Sequence, residues 1–302
     1  MLARRVLSAR RMSRTLVLLA CIACSAPHGA GPDAPRAPDA ATNDAADASA
    51  SIDASPGRVL RVLDNAAIIR SDGSAIENGV VFPTVVDGTP PMPSFVADPA
   101  RGNVLAFTAP TDLSGHKERI EYKLAQASDA DGLHFDNARY VGFAFQLPAG
   151  PAPFLGSAIF WQAWQGYPYG PPVSLKLERG SAAPYPIVLA IRNASVGPDS
   201  TVPDIPVWNG TIDPGTWHTF VVYVEPRFAG GGELKLWLDG TRVVDWTGAI
   251  GYDPSQVAGA YDGLDLKDGI YQPAANNGHA LLFQRIVVAT GYAATMNALG
   301  SP

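Results

Sequence analysis

Cysteine is scarce: the 302 residues contain two, Cys21 and Cys24. Both precede residue 25, so the rest of the chain can form neither a disulfide nor a thiolate metal site. Positive charge is also sparse. Residues 58–302 hold 16 Lys and Arg against 23 Asp and Glu, a net charge of −7. That segment lacks the basic footprint of a nucleic-acid binder, and a densely sulfated polyanion is disfavoured for the same reason. A sparsely charged acidic polymer stays compatible if the surface it meets is locally positive. Helical periodicity is nearly absent. No phosphate-binding glycine loop, no Ser/His/Asp motif and no strong pair of facing carboxylates is present.

What is present begins with a targeting pattern. Arg4, Arg5, Arg10, Arg11 and Arg14 precede a short apolar run from Leu16 to Ala23, too short for a stable transmembrane helix. Leu18-Leu19-Ala20-Cys21 resembles a bacterial lipobox, with Cys21 as the residue lipidated; Cys24 is the weaker acceptor. A plain secretory signal cleaved near Ala23 or Ala26 is the alternative. Residues 1–24 are therefore expected to be a lipoprotein signal peptide. Residues 25–57 are mostly Ala, Pro, Asp and Ser, with Ile52 the sole bulky apolar residue. They bury too little to offset chain entropy, so a disordered tether is expected. The expected location is a bacterial outer membrane or cell surface, otherwise secreted, with the membrane met only through the lipid.

Residues 58–302 suit one all-β domain, expected to be a monomer. Short strand candidates recur between Gly/Pro turns: Val59–Leu63, Ala66–Arg70, Asn103–Thr108, Lys117–Leu124, Arg139–Leu147, Ala158–Gln165, Val173–Glu178, Pro186–Arg192, Trp217–Val224, Leu264–Gln272 and Ala280–Thr290. Glu233–Leu238, Asp239-Gly240 and Arg242–Trp246 form the clearest hairpin, because Asp-Gly favours the turn that matches strand twist. Several strands are apolar on one face and polar on the other. That suits a two-sheet jelly roll with one sheet lining a concave groove.

Strict alternation puts Phe160, Gln162 and Trp164 on one face of their strand, and Ile159, Trp161 and Ala163 on the other. An amide beside an indole in mid-strand suits a sugar cleft: one hydrogen-bonds, the other offers a flat apolar platform. The polar partners on strands whose other face is core are Arg119, Gln162, Lys176, Arg192, Lys267 and Tyr271, joined by Trp164 and Tyr140. Gly269, beside Tyr271, leaves room for a ligand near the backbone. His116 opens the Arg119 strand with opposite parity, so a bulge is needed to bring it to that face. His218 is expected to be a core histidine, His134 and His279 to be loop residues, and Trp237 to pack under a loop. Asp129, Asp131 and Asp136, with Gly132, make a loop of oxygen ligands suited to a structural Ca²⁺. The final Glu of an EF-hand is missing, so a solvated acidic loop is the preferred expectation, with no required cofactor and no metal site.

Six segments in order resemble one family: Arg119-Ile120-Glu121; Phe160 to Trp164; Pro171 to Leu175; Trp217 to Val222; Leu236 to Gly240; and Leu266 to Tyr271. They are similar to the jelly-roll polysaccharide lyases, the group of glucuronan lyases and the heparin lyase I type, with alginate lyases more distant. The resemblance implies a concanavalin A-like β-sandwich and β-elimination on a uronate polymer, glucuronan-like favoured over alginate or glycosaminoglycan. It implies that Gln162 binds the uronate carboxylate with support from Arg119. Tyr271 would be the general acid and a base candidate, and His116 the other base candidate. Trp164, Lys267, Lys176, Arg192 and Tyr140 would contact substrate. Alginate lyases carry a His where Trp164 stands, which disfavours alginate.

Each residue also has a structural alternative: a half-buried strand tyrosine, a cross-strand amide, a surface turn histidine, a solvated lysine, an Arg119–Glu121 ion pair. Two other functions compete. One is a non-catalytic carbohydrate-binding lipoprotein on the same sandwich. The other is a glycoside hydrolase, for which Glu121 and Glu178 are the only carboxylate candidates.

Overall fold

Period-two patterning is realised almost throughout. The computed structural model describes residues 57–166, 170–194, 203–272 and 275–300. Cys21 and the proposed signal and tether up to residue 56 lie outside them. In chain order the strands are β1 (Val59–Leu63), β2 (Ile68–Ile69), β3 (Ala75–Glu77), β4 (Val80–Phe82), β5 (Thr84–Asp87), β6 (Ser94–Asp98), β7 (Gly102–Ala109), β8 (Glu118–Ala125), β9 (Arg139–Gln146), β10 (Ala158–Trp164), β11 (Val173–Leu177), β12 (Tyr185–Ile191), β13 (Asn193–Ala194), β14 (Ile205–Ile212), β15 (Trp217–Glu225), β16 (Arg227–Leu238), β17 (Thr241–Tyr252), β18 (Asp265–Gln272) and β19 (His279–Ala289), followed by helix α1 (Tyr292–Leu299).

Two sheets make the sandwich. One runs β13-β17-β16-β15-β9-β19-β7-β6, with β1 added on β19, and the other runs β14-β12-β11-β10-β18-β8-β5. A small sheet, β2-β3-β4, stands apart from both. Between the sheets lies an aromatic core. Phe143 and Phe145 of β9 and Phe220 of β15 meet Phe160 of β10, with Phe145 stacked on Phe160 at 4.5 Å, and Phe283 of β19 packs edge-on to Phe145. Each such burial stabilises by about 1.5–3 kcal/mol, so this aromatic core replaces the cross-links that the cysteine count excludes. The β16–β17 hairpin turns at Asp239-Gly240, both with positive φ (51° and 80°), as the Asp-Gly pair requires.

The outer face of the nine-stranded sheet is covered by α1. Gly142 of β9 leaves the space that Thr295 and Leu299 fill. Tyr140 belongs here: its ring packs on Tyr223 at 4.8 Å and faces Tyr292 of α1 at 6.5 Å. It is buried on the opposite sheet from the groove, so its place among substrate contacts is corrected. Parity made it an outward residue, but which sheet it occupies depends on long-range pairing. Trp237 likewise packs on Tyr292, at 4.7 Å, under the helix rather than a loop. The helix itself was not legible: it is eight residues long, and its N-cap Gly291 offers no side-chain cap. The edge strand β14 has little signal in the sequence, because Pro206 and Asn209-Gly210 interrupt it.

Candidate active site in the seven-stranded sheet

A β-bulge sets which side chains reach the groove. In β10 the register shifts between Ile159 and Trp161. The extra residue turns both Phe160 and Trp161 into the core, and leaves Ile159, Gln162 and Trp164 on the groove face. This corrects strict alternation, which put Phe160 beside Gln162. Three adjacent strands then supply the site: β10, β18 and β8. Ile159 is level with Tyr271, Gln162 with Lys267, and Trp164 with Asp265; Tyr271 is level with Arg119 and Lys267 with Lys123.

Glu121 ties the floor together. It is fully buried; one oxygen accepts from Gln162 Nε2 at 2.5 Å and the other from Arg119 Nε at 2.5 Å. Arg119 also reaches Asp87 at 3.5 Å, and its guanidinium lies 4.9 Å from the centre of the Tyr271 ring. Burial acts to lower the pKa of Arg119, but the Glu121 carboxylate overrides it and the net direction is upward. Arg119 is therefore a permanent cation, held rigidly at one edge of the groove. Gly269 does not open room for a ligand. Its φ is +150°, and a Cβ there would strike the backbone of Ile120 and Glu121, so glycine is required by the close approach of β8.

Lys267 is the unusual group. It is 1% exposed, and its Nζ lies 3.7 Å from the centre of the Trp164 ring, a cation–π contact. Burial lowers its pKa to about 7, opposed by Glu121 and Asp265 and assisted by Arg119 and Lys123. Raising the pH through about 7 therefore removes the cation from beneath Trp164. We expect tryptophan fluorescence to titrate with a midpoint near 7 and the transition to vanish in Lys267→Met; a pH-independent signal in the parent protein would contradict the pairing. The stability sign follows: the burial penalty is fully present below about 7 and is relieved as pH rises toward 10.5, the unperturbed lysine value.

Behind the floor, Asp268 is level with Trp161 and Tyr122, both core residues, and is fully buried. Neither of its oxygens has a hydrogen-bond partner among the described residues. Burial, with Glu121 nearby, raises its pKa well above 3.8, so the folded protein holds it neutral while the unfolded chain ionises. Stability is therefore lost as pH rises above about 4. Asp268→Asn should remove this slope, so the variant's stability advantage should widen by up to about 1.4 kcal/mol per pH unit above that point. Denaturation curves at a series of pH values check this; parallel pH profiles for the two proteins would rule it out.

The other expected residues fall in different places. His116 precedes β8; its side chain is 84% exposed, with Nδ1 3.9 Å from Asp112. No bulge turns it toward Tyr271's row. Lys176 and Arg192 lie on the same sheet as the site, but both are held by Asp204, and Lys176 also meets Glu178 at 3.3 Å. Glu178 and Glu121 stand about three strand spacings apart, roughly 14 Å, beyond the separation a glycosidase pair uses. Asp129 pairs with Arg61 at 2.9 Å, and Asp131 lies 3.9 Å from Arg58, so two of the acidic loop's carboxylates are turned to arginines. Among the described residues no group of three or more His, Cys, Asp or Glu side chains is placed to hold a metal. His218 is not in the core: it pairs with Asp239 at 2.8 Å beside the hairpin turn. His279 is not in a loop: it opens β19 stacked on Phe154 at 3.7 Å, and burial lowers its pKa to about 4. Glu121's bridging role, Lys123 and the loop residues His134 and Tyr261 were missed as site residues. Only the Arg-x-Glu spacing hinted at the first.

One sheet of the sandwich thus gathers, on the face turned away from the core, an aromatic ring, a buried amide, a braced arginine and a tyrosine. The family model described as polysaccharide lyase matches residues 83–287, and the chain belongs to that family. In structure it is similar to the endo-β-1,4-glucuronan lyase of the fungus Trichoderma reesei, with a TM-score of 0.52 and 16% identity, covering 70% of this chain and 92% of that one. The alginate lyase AlyC3 follows at TM-score 0.45 and 13% identity, covering 65% and 78%. An alginate lyase from a Chlorella virus matches at 0.43 and 10%, covering 66% and 89%. A comparison of the sequence with curated proteins finds no match. At these identities the structural likeness speaks to the fold; the family match makes the chain a lyase.

Proposed function

We propose that this lyase cleaves a uronate-containing polysaccharide by β-elimination on the β8–β18–β10 face, with glucuronate as the residue that loses its C5 proton. The observation that carries the reading is the convergence of Arg119, Gln162 and Tyr271 on three adjacent strands, with Glu121 bonded to both Arg119 and Gln162.

The C5–H next to a carboxylate is a very weak acid. Its removal becomes feasible when the carboxylate charge is offset, because the intermediate places a second negative charge there. Arg119 and the Gln162 amide supply that offset from a rigid frame. Tyr271 works from the same face. As phenolate it takes the C5 proton; the C5 electron pair forms the C4–C5 double bond as the C4–O bond breaks; and the tyrosine returns its proton to the departing oxygen. One residue thus serves as base and then acid, and exposed His116 is left outside the reaction. Trp164 offers its ring to a sugar in place of an imidazole, which argues for glucuronate over alginate. The proposal also keeps the N-terminal reading, in which lipid on Cys21 and the following tether hold the domain at a bacterial surface.

Incubation with polyglucuronate, alginate and heparin, followed by the ultraviolet absorbance of the unsaturated product, tests this directly. Product from polyglucuronate first, with His116→Ala unimpaired, supports the assignment. Binding without product on every uronate polymer would favour a lectin-like role instead.

A further inference from the structure

Beyond Trp164, at the Asp265 end of the three site strands, the groove face opens into a cavity of about 490 Å³. Its walls include Lys123, His134, Tyr261, Asp262 and Asp265. That volume lies in the range of small-molecule sites. The walls are built rather than incidental. Gln165 Nε2 donates to the carbonyls of Tyr252 and Tyr261, at 2.6 and 3.1 Å, and Tyr261 N donates back to Gln165 O at 2.6 Å. Gly166, with φ +115°, lets the segment carrying Gly259 and Tyr261 press against the end of β10. On the other wall, His134 turns its two ring nitrogens to the carbonyls of Asp129 and Asp262, at 3.1 and 3.4 Å, and a Leu133–Leu264 bridge joins the two loops. Tyr261 is 41% exposed and stands edge-on to Trp164 with ring centres 5.5 Å apart. Two aromatic rings at a polar cavity mouth suit a sugar ring.

The charges of the walls decide which sugar. Asp265 is buried and shared by Lys123 at 3.1 Å and Lys267 at 3.9 Å. Asp262 is exposed, and among the described residues no cation lies within ion-pair distance of it, so the wall carboxylate that a ligand meets is unbalanced. A uronate carboxylate beside Asp262 is repelled, whereas a sugar hydroxyl finds an acceptor there. We propose that this cavity is a subsite for the ring next to the one cleaved, and that it selects a ring without a carboxylate. The preferred substrate is then a polymer in which uronate is interspersed with neutral sugar, and polyglucuronate, though cut ahead of alginate and heparin, is cut more slowly than such a mixed polymer. This rests on the β-elimination reading above.

The test separates the two ideas. Tryptophan fluorescence is followed while a β-1,4-linked disaccharide joining glucuronate to glucose (the glucose disaccharide), or the matching glucuronate disaccharide, is added to the protein, with Trp164→Phe as the control for signal origin. The glucose disaccharide should saturate at lower concentration. Tyr261→Ala should raise its half-saturation about tenfold through loss of one aromatic contact. Asp262→Lys, which reverses the local charge, should turn the preference toward the glucuronate disaccharide. Tighter or equal binding of the glucuronate disaccharide to the parent protein overturns the proposal, as does indifference to both substitutions or the absence of any saturable change. Failure to cleave every uronate polymer would instead overturn the role of Tyr271 while leaving the binding result to stand or fall by itself.

Discussion

Tyr271→Phe is expected to lower turnover on the best uronate polymer by roughly 10²- to 10⁴-fold, the range lost when a positioned acid–base group is removed. The substitution deletes one oxygen. The ring stays, so its contact with the Arg119 guanidinium at 4.9 Å is kept, and the strand register with Arg119 and Ile159 has no reason to change. Binding and thermal stability should therefore be close to those of the parent. That split, with kcat collapsing while affinity holds, is what distinguishes a reacting hydroxyl from a half-buried strand tyrosine. A variant that retains more than a tenth of its rate would remove Tyr271 from the chemistry. The proton would then need another carrier on the same face, and Lys267, whose pKa is lowered to about 7, would be the group to test next.

The second large effect is expected at Glu121, which touches no substrate in this scheme. It is buried and accepts from both Arg119 and Gln162. Glu121→Ala leaves a mostly buried guanidinium with Asp87, 3.5 Å away and partly exposed, as its one remaining carboxylate among the described residues. Breaking a buried ion pair from one side costs about 3–5 kcal/mol, and the remaining Asp87 contact argues for the lower end. Activity should fall as well, because the amide and guanidinium lose the atom that fixes them relative to each other. Glu121→Gln keeps the volume and one acceptor, so it should recover most of the stability but not the rate. Denaturant midpoints and turnover for the two variants check this. A stable, fully active Glu121→Ala would show that the floor does not need its brace.

The sandwich was legible because its signal is local. Strands of five to eleven residues with one apolar face, broken by Gly/Pro turns, leave little choice but two packed sheets, and Asp239-Gly240 named its hairpin outright. Gln162, Trp164, Lys267, Tyr271 and Arg119 were placed on a shared face by parity within their own strands, and the pairing of β10, β18 and β8 keeps them there. Parity failed wherever the count along the strand was interrupted. The bulge at Phe160 is one such place, since nothing in Ile-Phe-Trp marks an inserted residue. Tyr140 shows the other failure: a strand pattern says that a residue faces outward but not from which sheet. His116 shows a third, because a residue two places before a strand follows the loop and not the pleat.

By itself the sequence determined the all-β class, the absence of cross-links in the folded segment and the residue types available to the groove, since each follows from composition or from a period of two. Tertiary structure alone decided the rest. It put Glu121 between Arg119 and Gln162, slid Lys267 beneath Trp164, gave Asp268 a dry interior position and brought Tyr261 and His134 to one cavity from loops more than a hundred residues apart. These are distances between residues remote in the chain. They depend on strand order and register, which loop closure and the packing of the whole core select together and which no short stretch of residues encodes.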